Sequence, residues 1–185
     1  MIDYKILDES VKYYEACGFT RIETPWTVSK AIDDITKPKD RINMQLKHND
    51  KCLVASGEQS FLYQYLKCFL TKGKYQTITP CFRFEEFDET HTKYFMKNEL
   101  IITDDVTGSE LTKLVDTAMF FFRGRLPDCY IECTGNQQFD IKVNNIELGS
   151  YGIRRTSFLH WIYGTGCAEP RFSSTINGIE LGLIK

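Results

Sequence analysis

Arginines, acids and aromatics recur in this chain at spacings that suit the handling of phosphates. Arg83 and Glu85 alternate with Phe82 and Phe84 in FRFEEFDETHTKYF, and His91 and Phe95 complete the same stretch. Far downstream, Gly164-Thr165-Gly166 leads to Arg171 in GTGCAEPR. A guanidinium presents a planar fork that matches phosphate or carboxylate oxygens, and an aromatic ring offers a face on which a base can stack. Together the two segments suit a nucleotide pocket on an antiparallel sheet, with two arginines on a triphosphate and a ring over the base.

A second constellation is acidic. In QFDIKVNNIELGS, Phe139, Ile141 and Val143 alternate with Asp140, Lys142 and Asn144, so one face of the strand is apolar and the other polar. Asn144-Asn145 is a natural two-residue turn because asparagine tolerates positive φ. That turn pairs Val143 with Ile146, Lys142 with Glu147 and Asp140 with Gly149, and leaves Asp140 and Glu147 as diagonal neighbours about 7 Å apart. A bridging cation can draw such a pair together, with Gly149 leaving space for a ligand. The spacing also allows a solvated hairpin edge beside Lys142. Simple alternation puts Arg154 on the face opposite Glu147 unless a bulge near Gly149 or Gly152 resets the phase.

The elements that must position these groups follow from hydrophobic period. Leu7, Val11 and Tyr14 recur at helical spacing over 7–17, and Gly18 supplies a stop. FTRIETPW predicts a short strand that Pro25 interrupts or ends. The charged run from Lys30 to Lys51 lacks a clear period and predicts a surface loop, with Lys37, Lys39 and Arg41 on a solvated face unless that loop lies near the active site and recruits them. Phe61, Leu62, Tyr65, Leu66 and Phe69 predict a helix from Glu58 to near Gly73. Strands are expected at 75–85 and 92–102, with Arg83 and Glu85 on one face and Phe82 and Phe84 turned to the core. On the returning strand Phe95, Lys97 and Glu99 share a face, and Tyr94, Met96 and Leu100 take the other. A helix at 109–123 follows, its Met-Phe-Phe-Phe run reading as one buried turn plus a neighbouring contact, then mostly strand, then a short helix near Arg171. Hairpins between separated helices predict an α+β fold, an antiparallel sheet flanked by helices.

At 185 residues the chain suits one domain over 1–185. Its formal charge of −2, from 23 basic and 25 acidic residues, gives no general pull toward nucleic acid. The seven cysteines are odd in number and lack a paired-ligand rhythm, even for Cys129 and Cys133, so reduced thiols are expected rather than zinc. His48 and His160 lack matching ligand partners and read as surface or packing residues. No stretch has the length of a membrane span, and the start of the chain is acidic rather than signal-like; a cytoplasmic protein without membrane contact is expected.

The motifs above resemble the catalytic domain of class II aminoacyl-tRNA synthetases, whose three signature regions can be placed in order. The first is the helix up to Cys17 followed by GFTRIETP, with Pro25 at the position where two subunits pack; the second holds Arg83, Glu85, His91 and Phe95; the third ends at Arg171. The resemblance implies ATP and Mg2+ as cofactors and a homodimer. It implies that Arg83 bridges the α-phosphate and the substrate carboxylate and that Glu85 accepts from the adenine amino group. His91 reaches the outer phosphates, Phe95 and Arg171 cover the two faces of adenine, and Asp140 and Glu147 hold the metal. Arg83 and Arg171 would be the catalytic pair.

FDIKVNNIELGSYGIR is further similar to aspartyl- and asparaginyl-tRNA synthetases and to asparagine synthetase-type paralogues. There an arginine at the place of Arg154 receives the amino acid's side chain, although Arg154 also reads as a strand-edge or salt-bridge residue. Glu58, supported by Glu99, resembles an acceptor for the substrate α-ammonium. A small amino acid, aspartate or asparagine, is the implied substrate. Ala168 stands where this subgroup usually has glycine. No anticodon-binding domain fits the length, and the acidic EEFDET lies where synthetases approach tRNA. Three readings stay open: amino-acid activation with transfer to an acceptor other than a full tRNA; a small synthetase charging tRNA alone or with a partner; and a non-catalytic dimeric accessory protein.

Overall fold

The computed structural model describes residues 1–39, 41–83 and 94–184. Its frame is a seven-stranded sheet. The strands are β1 (Thr20–Arg21), β5 (Lys74–Phe82), β6 (Tyr94–Ile102), β7 (Tyr130–Gly135), β8 (Gln138–Val143), β9 (Ile146–Arg155) and β10 (His160–Glu169). Their order is β1-β5-β6-β10-β9-β8-β7, antiparallel throughout except for the β1–β5 pair. A smaller sheet, β2-β4-β3, is built from β2 (Thr27–Ser29), β3 (Met44–Gln45) and β4 (Lys51–Leu53).

Strand parity divides the large sheet into two chemically different faces. On one, Leu100, Ile102, Ile141, Tyr151 and Ile162 meet α1 (Tyr4–Ala16), α4 (Gly108–Arg123) and α5 (Arg171–Glu180). The opposite face carries Ile101, Trp161 and Tyr163 against Phe61 and Leu62 of α3 (Gly57–Leu66). Lys97 and Glu99 extend from this second face, as the alternation along β6 requires.

Local signals explain the helix ends. Asp3 caps α1 by accepting from the Lys5 and Ile6 amides, and Gly18 follows its end at φ +91°. Thr107 caps α4 through the Glu110 amide. Ser56 and Gln59 form a reciprocal capping box at the start of α3. That helix stops at Leu66, well before Gly73, because Cys68 turns to φ 58° and leaves Phe69 exposed. Pro170 sits at the cap of α5, just ahead of Arg171. In the Met-Phe-Phe-Phe run, Met119 and Phe122 are buried and Phe121 packs beside them, while Phe120 is exposed.

Two sequence expectations are corrected. The run from Lys30 to Lys51 is not a loop: it contains α2 (Lys30–Thr36), β3 and the start of β4, elements too short to register as a periodic pattern. In the acidic hairpin, Asn144 and Asn145 do turn at φ 48° and 64°, but the register slips by one residue between Glu147 and Gly149. Asp140 therefore faces Ser150, and Gly149 faces Ile141. Leu148 is the extra residue, and it is buried in the helix-covered core with Ile141. Among the described residues, no helix is long and apolar enough to cross a membrane.

Candidate active site

The bulge at Leu148 decides where the acids look. Past it, Ser150, Gly152 and Arg154 share the face of Glu147, so the phase reset needed to unite Glu147 with Arg154 is present. Gly149 is on the other face: a Cβ there would come within 2.6 Å of the Tyr151 hydroxyl and 3.1 Å of Thr165 Cβ, so this glycine serves core packing and opens no ligand space.

On the polar face lies a cavity of about 290 Å³. Its floor and walls include Arg83 at the end of β5, Lys97 and Glu99 of β6, Glu147, Ser150 and Arg154 of β9, and Glu58 of α3. Its roof comes from the segment expected to be a surface loop: Asp33, Thr36, Lys37, Arg41 and Asn43 all line it, so of the two readings of Lys37 and Arg41 the structure favours recruitment to the cavity over a solvated face. Lys39 is exposed as expected.

Close approach of α3 to the sheet sets the floor. Gly57 lies so near β5 and β6 that a Cβ would meet Thr79 Cγ2 at 2.6 Å and Glu99 Cβ at 2.9 Å. The contact brings Ser56 Oγ to donate to Glu99 Oε2 at 2.6 Å, while Lys97 Nζ pairs with Glu99 Oε1 at 2.8 Å. Glu58 is 3% exposed; it accepts from Trp161 Nε1 at 2.6 Å and pairs with Arg154 at 3.2 Å. Burial raises the Glu58 carboxyl above its ordinary range, and Arg154 pulls it back in part. The Arg154 guanidinium also lies 4.5 Å from the Tyr163 ring centre and donates to the Thr36 carbonyl at 3.3 Å.

Arg83 donates through Nε to the Ala55 carbonyl at 3.3 Å, and its guanidinium carbon stands 5.0 Å from the centre of the Phe95 ring. Phe82 is not core: it meets the exposed Tyr94 ring at the strand margin, where the apolar clusters have ended. Cys81, on the Arg83 face of β5, is buried and its thiol is pushed up to about 11 by desolvation, so it offers no thiolate at neutral pH.

Arg171 lies outside the cavity lining but reaches it through Glu147, donating to that residue's carbonyl at 3.3 Å and carboxylate at 3.4 Å. Asp140 stands beside the same wall, opposite Ser150. Burial raises its carboxyl, the Glu147 charge raises it further, and the Ser150 hydroxyl and Lys142 oppose both. Two carboxylates close enough to repel form a donor set that a hard cation relieves. Among the described residues no group of three or more His, Cys, Asp or Glu side chains is placed to hold a metal. Mg2+ is ordinarily held by one or two protein carboxylates with the rest of its shell from phosphate and water, so the Asp140–Glu147 pair fits that ion.

The structure thus gathers Arg83, Glu58, Glu99, Arg154 and Glu147 around one cavity, with Arg171, Asp140 and Phe95 one contact away. Glu85 and His91 lie outside the described residues, as does Phe84. Pro25 is half-buried, its carbonyl accepting from Ser60 Oγ at 2.7 Å, and it precedes the exposed Trp26. Sequence reasoning missed Asp33, Asn43, Ser56 and Trp161. The Ser-x-x-Gln capping box was a usable signal for Ser56; nothing local marked Asp33. All seven cysteines are free.

The sequence matches no protein-family model, and no curated protein matches it. Solved structures do. A pyrrolysyl-tRNA synthetase from Desulfitobacterium hafniense superposes with a TM-score of 0.74 at 17% identity, covering 95% of this chain and 67% of its own. A second structure of pyrrolysyl-tRNA synthetase from that organism gives 0.74 at 16%, covering 95% and 69%. Seryl-tRNA synthetase from Pyrococcus horikoshii, complexed with ATP, gives 0.65 at 14%, covering 92% of this chain and 50% of its own. The chain therefore has the fold of a class II aminoacyl-tRNA synthetase catalytic domain, spanning about two thirds of the pyrrolysyl enzymes and half of the seryl enzyme. These likenesses establish the fold and do not reach the aspartyl and asparaginyl subgroup.

Proposed function

We propose that the chain activates a small amino acid with ATP, forming an aminoacyl-adenylate and releasing pyrophosphate. The observation that carries this reading is the shared cavity: Arg83, Glu58, Glu99, Arg154 and Glu147 come from four separated stretches of sequence and line one space. The fold is that of enzymes named for aminoacylating tRNA, one of them complexed with ATP.

The attack joins two anions, the amino acid's carboxylate and the α-phosphate, so its barrier is largely electrostatic. Arg83, pinned by the Ala55 carbonyl and backed by Phe95, offers a fixed guanidinium to both partners and to the charge that develops on phosphorus. Phe95 lends its ring to adenine. Glu58 and Glu99 hold the α-ammonium at the floor. Asp140 and Glu147 would hold Mg2+, which when bound offsets triphosphate charge and eases departure of pyrophosphate. Arg171, which contacts Glu147 here, would turn toward adenine and the outer phosphates, with Glu85 and His91 completing the nucleotide contacts. No protein nucleophile takes part.

The amino acid implied by the resemblance is aspartate or asparagine, and the acceptor is something other than a full tRNA. The acidic EEFDET supports that acceptor, since negative charge opposes a phosphodiester backbone. A homodimer through the region of Pro25 completes the proposal, supported by the 56% exposure of Trp26. The test is amino-acid-dependent exchange of pyrophosphate into ATP, run with a panel of amino acids, followed by detection of the acylated acceptor. Exchange without tRNA charging is expected. Exchange near the wild-type rate in Arg83→Ala would remove the assignment.

A further inference from the structure

The cavity roof contains an acid with one oxygen left without a hydrogen bond. Asp33, on α2, lines the cavity and is only 1% exposed. Its Oδ2 accepts from Asn43 Nδ2, and its backbone carbonyl accepts from Gln59 Nε2 at 3.1 Å. Its Oδ1 has no hydrogen-bond partner. Leaving a buried acceptor unmade costs free energy, so such an atom in a cavity wall points to a ligand that supplies the missing donor.

Two neighbouring donors have partners of their own, although Lys37 still lends Asp33 its charge. Asn43 Nδ2 also reaches Asp34 Oδ1 at 3.1 Å, and the Lys37 ammonium donates to the Arg41 carbonyl at 2.6 Å and lies 3.7 Å from Asp34. Elsewhere in the cavity the acids are matched: Glu58 by Arg154, Glu99 by Lys97, and Glu147 by Arg171. A carboxylate side chain brings no donor to Asp33 and would meet its carboxylate as a like charge.

We infer that Asp33 Oδ1 receives an N–H or O–H donor from the amino acid's side chain, making the roof a specificity subsite for amide, hydroxyl or amine side chains over carboxylates. The inference rests on the proposed amino-acid activation and narrows it: of aspartate and asparagine, it selects asparagine.

The test is calorimetric binding of L-asparagine, L-glutamine, L-serine, L-lysine, L-aspartate, L-glutamate and L-leucine to the full chain and to Asp33→Asn, with ATP binding measured in parallel. In the variant, Asn43 still requires an acceptor, so the new amide oxygen faces Asn43 and its NH2 takes the place of Oδ1. The subsite then changes from acceptor to donor. Wild type should bind at least one donor-bearing amino acid more tightly than aspartate or glutamate. The variant should lower that preference by roughly tenfold or more, since a hydrogen bond to a charged group is at stake, with ATP affinity unchanged. Wild-type preference for aspartate, glutamate or leucine, or binding of none of the panel, overturns the inference even if the variant does not fold. So does a variant whose preference is unchanged or whose affinity falls uniformly. Loss of pyrophosphate exchange in wild type with the binding pattern intact would instead defeat the catalytic reading and leave the subsite standing.

Discussion

The two faces of the large sheet are made by the same strands and bury different mixtures: the helix-covered face is mainly apolar around a small Ser10–Asn98–Gln76 network, and the other is rich in charge. Beneath α1, α4 and α5, residues such as Phe122, Tyr14 and Leu100 are fully buried and apolar, and edge-on rings such as Phe122 and Phe172 interlock at 5.0 Å. On the cavity side, buried positions hold Glu58, Glu99, Lys97 and Asp33. Burying a charge is costly unless it is paired, and a well-packed apolar residue commonly does as well for stability. Four such residues on one side are the cost that the proposed binding role would explain.

The comparison is most sharply tested by separating stability from activity. Phe122→Ala on the apolar face should cost about 3–5 kcal/mol of stability, read by denaturant unfolding, with the activity of the folded fraction retained. Arg83→Ala should do the reverse: the barrier to exchange should rise by about 2.7–4 kcal/mol, the scale of losing one transition-state donor, with little change in Tm. Phe95→Ala should weaken ATP binding by about 1–3 kcal/mol; unchanged affinity by calorimetry would take Phe95 out of the nucleotide site.

Two buried glutamates give the subtlest test, because folding shifts their carboxyls in opposite directions. Burial raises the Glu58 carboxyl, so the folded state holds its proton more tightly, and stability falls as pH rises from the ordinary carboxylate value through the raised one. Lys74, then Lys113, lowers the Glu110 carboxyl at the start of α4; that contribution is present above the unfolded value and is lost as pH falls through the lowered one. Glu58→Gln should therefore flatten the loss of Tm on the rising side, and Glu110→Gln the loss on the falling side. Identical Tm profiles for the two variants would refute the electrostatic contrast between the faces.

Much of the scaffold was legible because it obeys simple periods. Alternation set Arg83 apart from Phe82 and put Lys97 and Glu99 together on the returning strand, and helical spacing located α1 and α4. The α2 region was not legible because a seven-residue helix beside strands of two and three residues falls below any periodic window. Asp33 was hidden for that reason: its burial comes from β4, α3 and the cavity roof, not from its own neighbours in sequence. The Glu58–Arg154 pair joins residues on different elements, and the reading of Arg154 as a salt-bridge residue describes its contact in this structure. The acidic hairpin was half legible. Its turn follows from two asparagines, but a one-residue slip depends on Leu148 finding a place in the helical core.

That slip makes geometry depend on an odd count. Glu147 and Arg154 are seven positions apart, a separation that in an unbroken strand sends two side chains to opposite sides. They look into one chamber only because Leu148 and Gly149 both turn inward. Shortening β9 by that one leucine would leave every charged residue in the same order along the polymer and still turn Glu147 and Arg154 to opposite sides of the sheet. The carboxylate and the guanidinium are therefore locked to a single hydrophobic peg, and neither can be repositioned along β9 without renegotiating the packing beneath it.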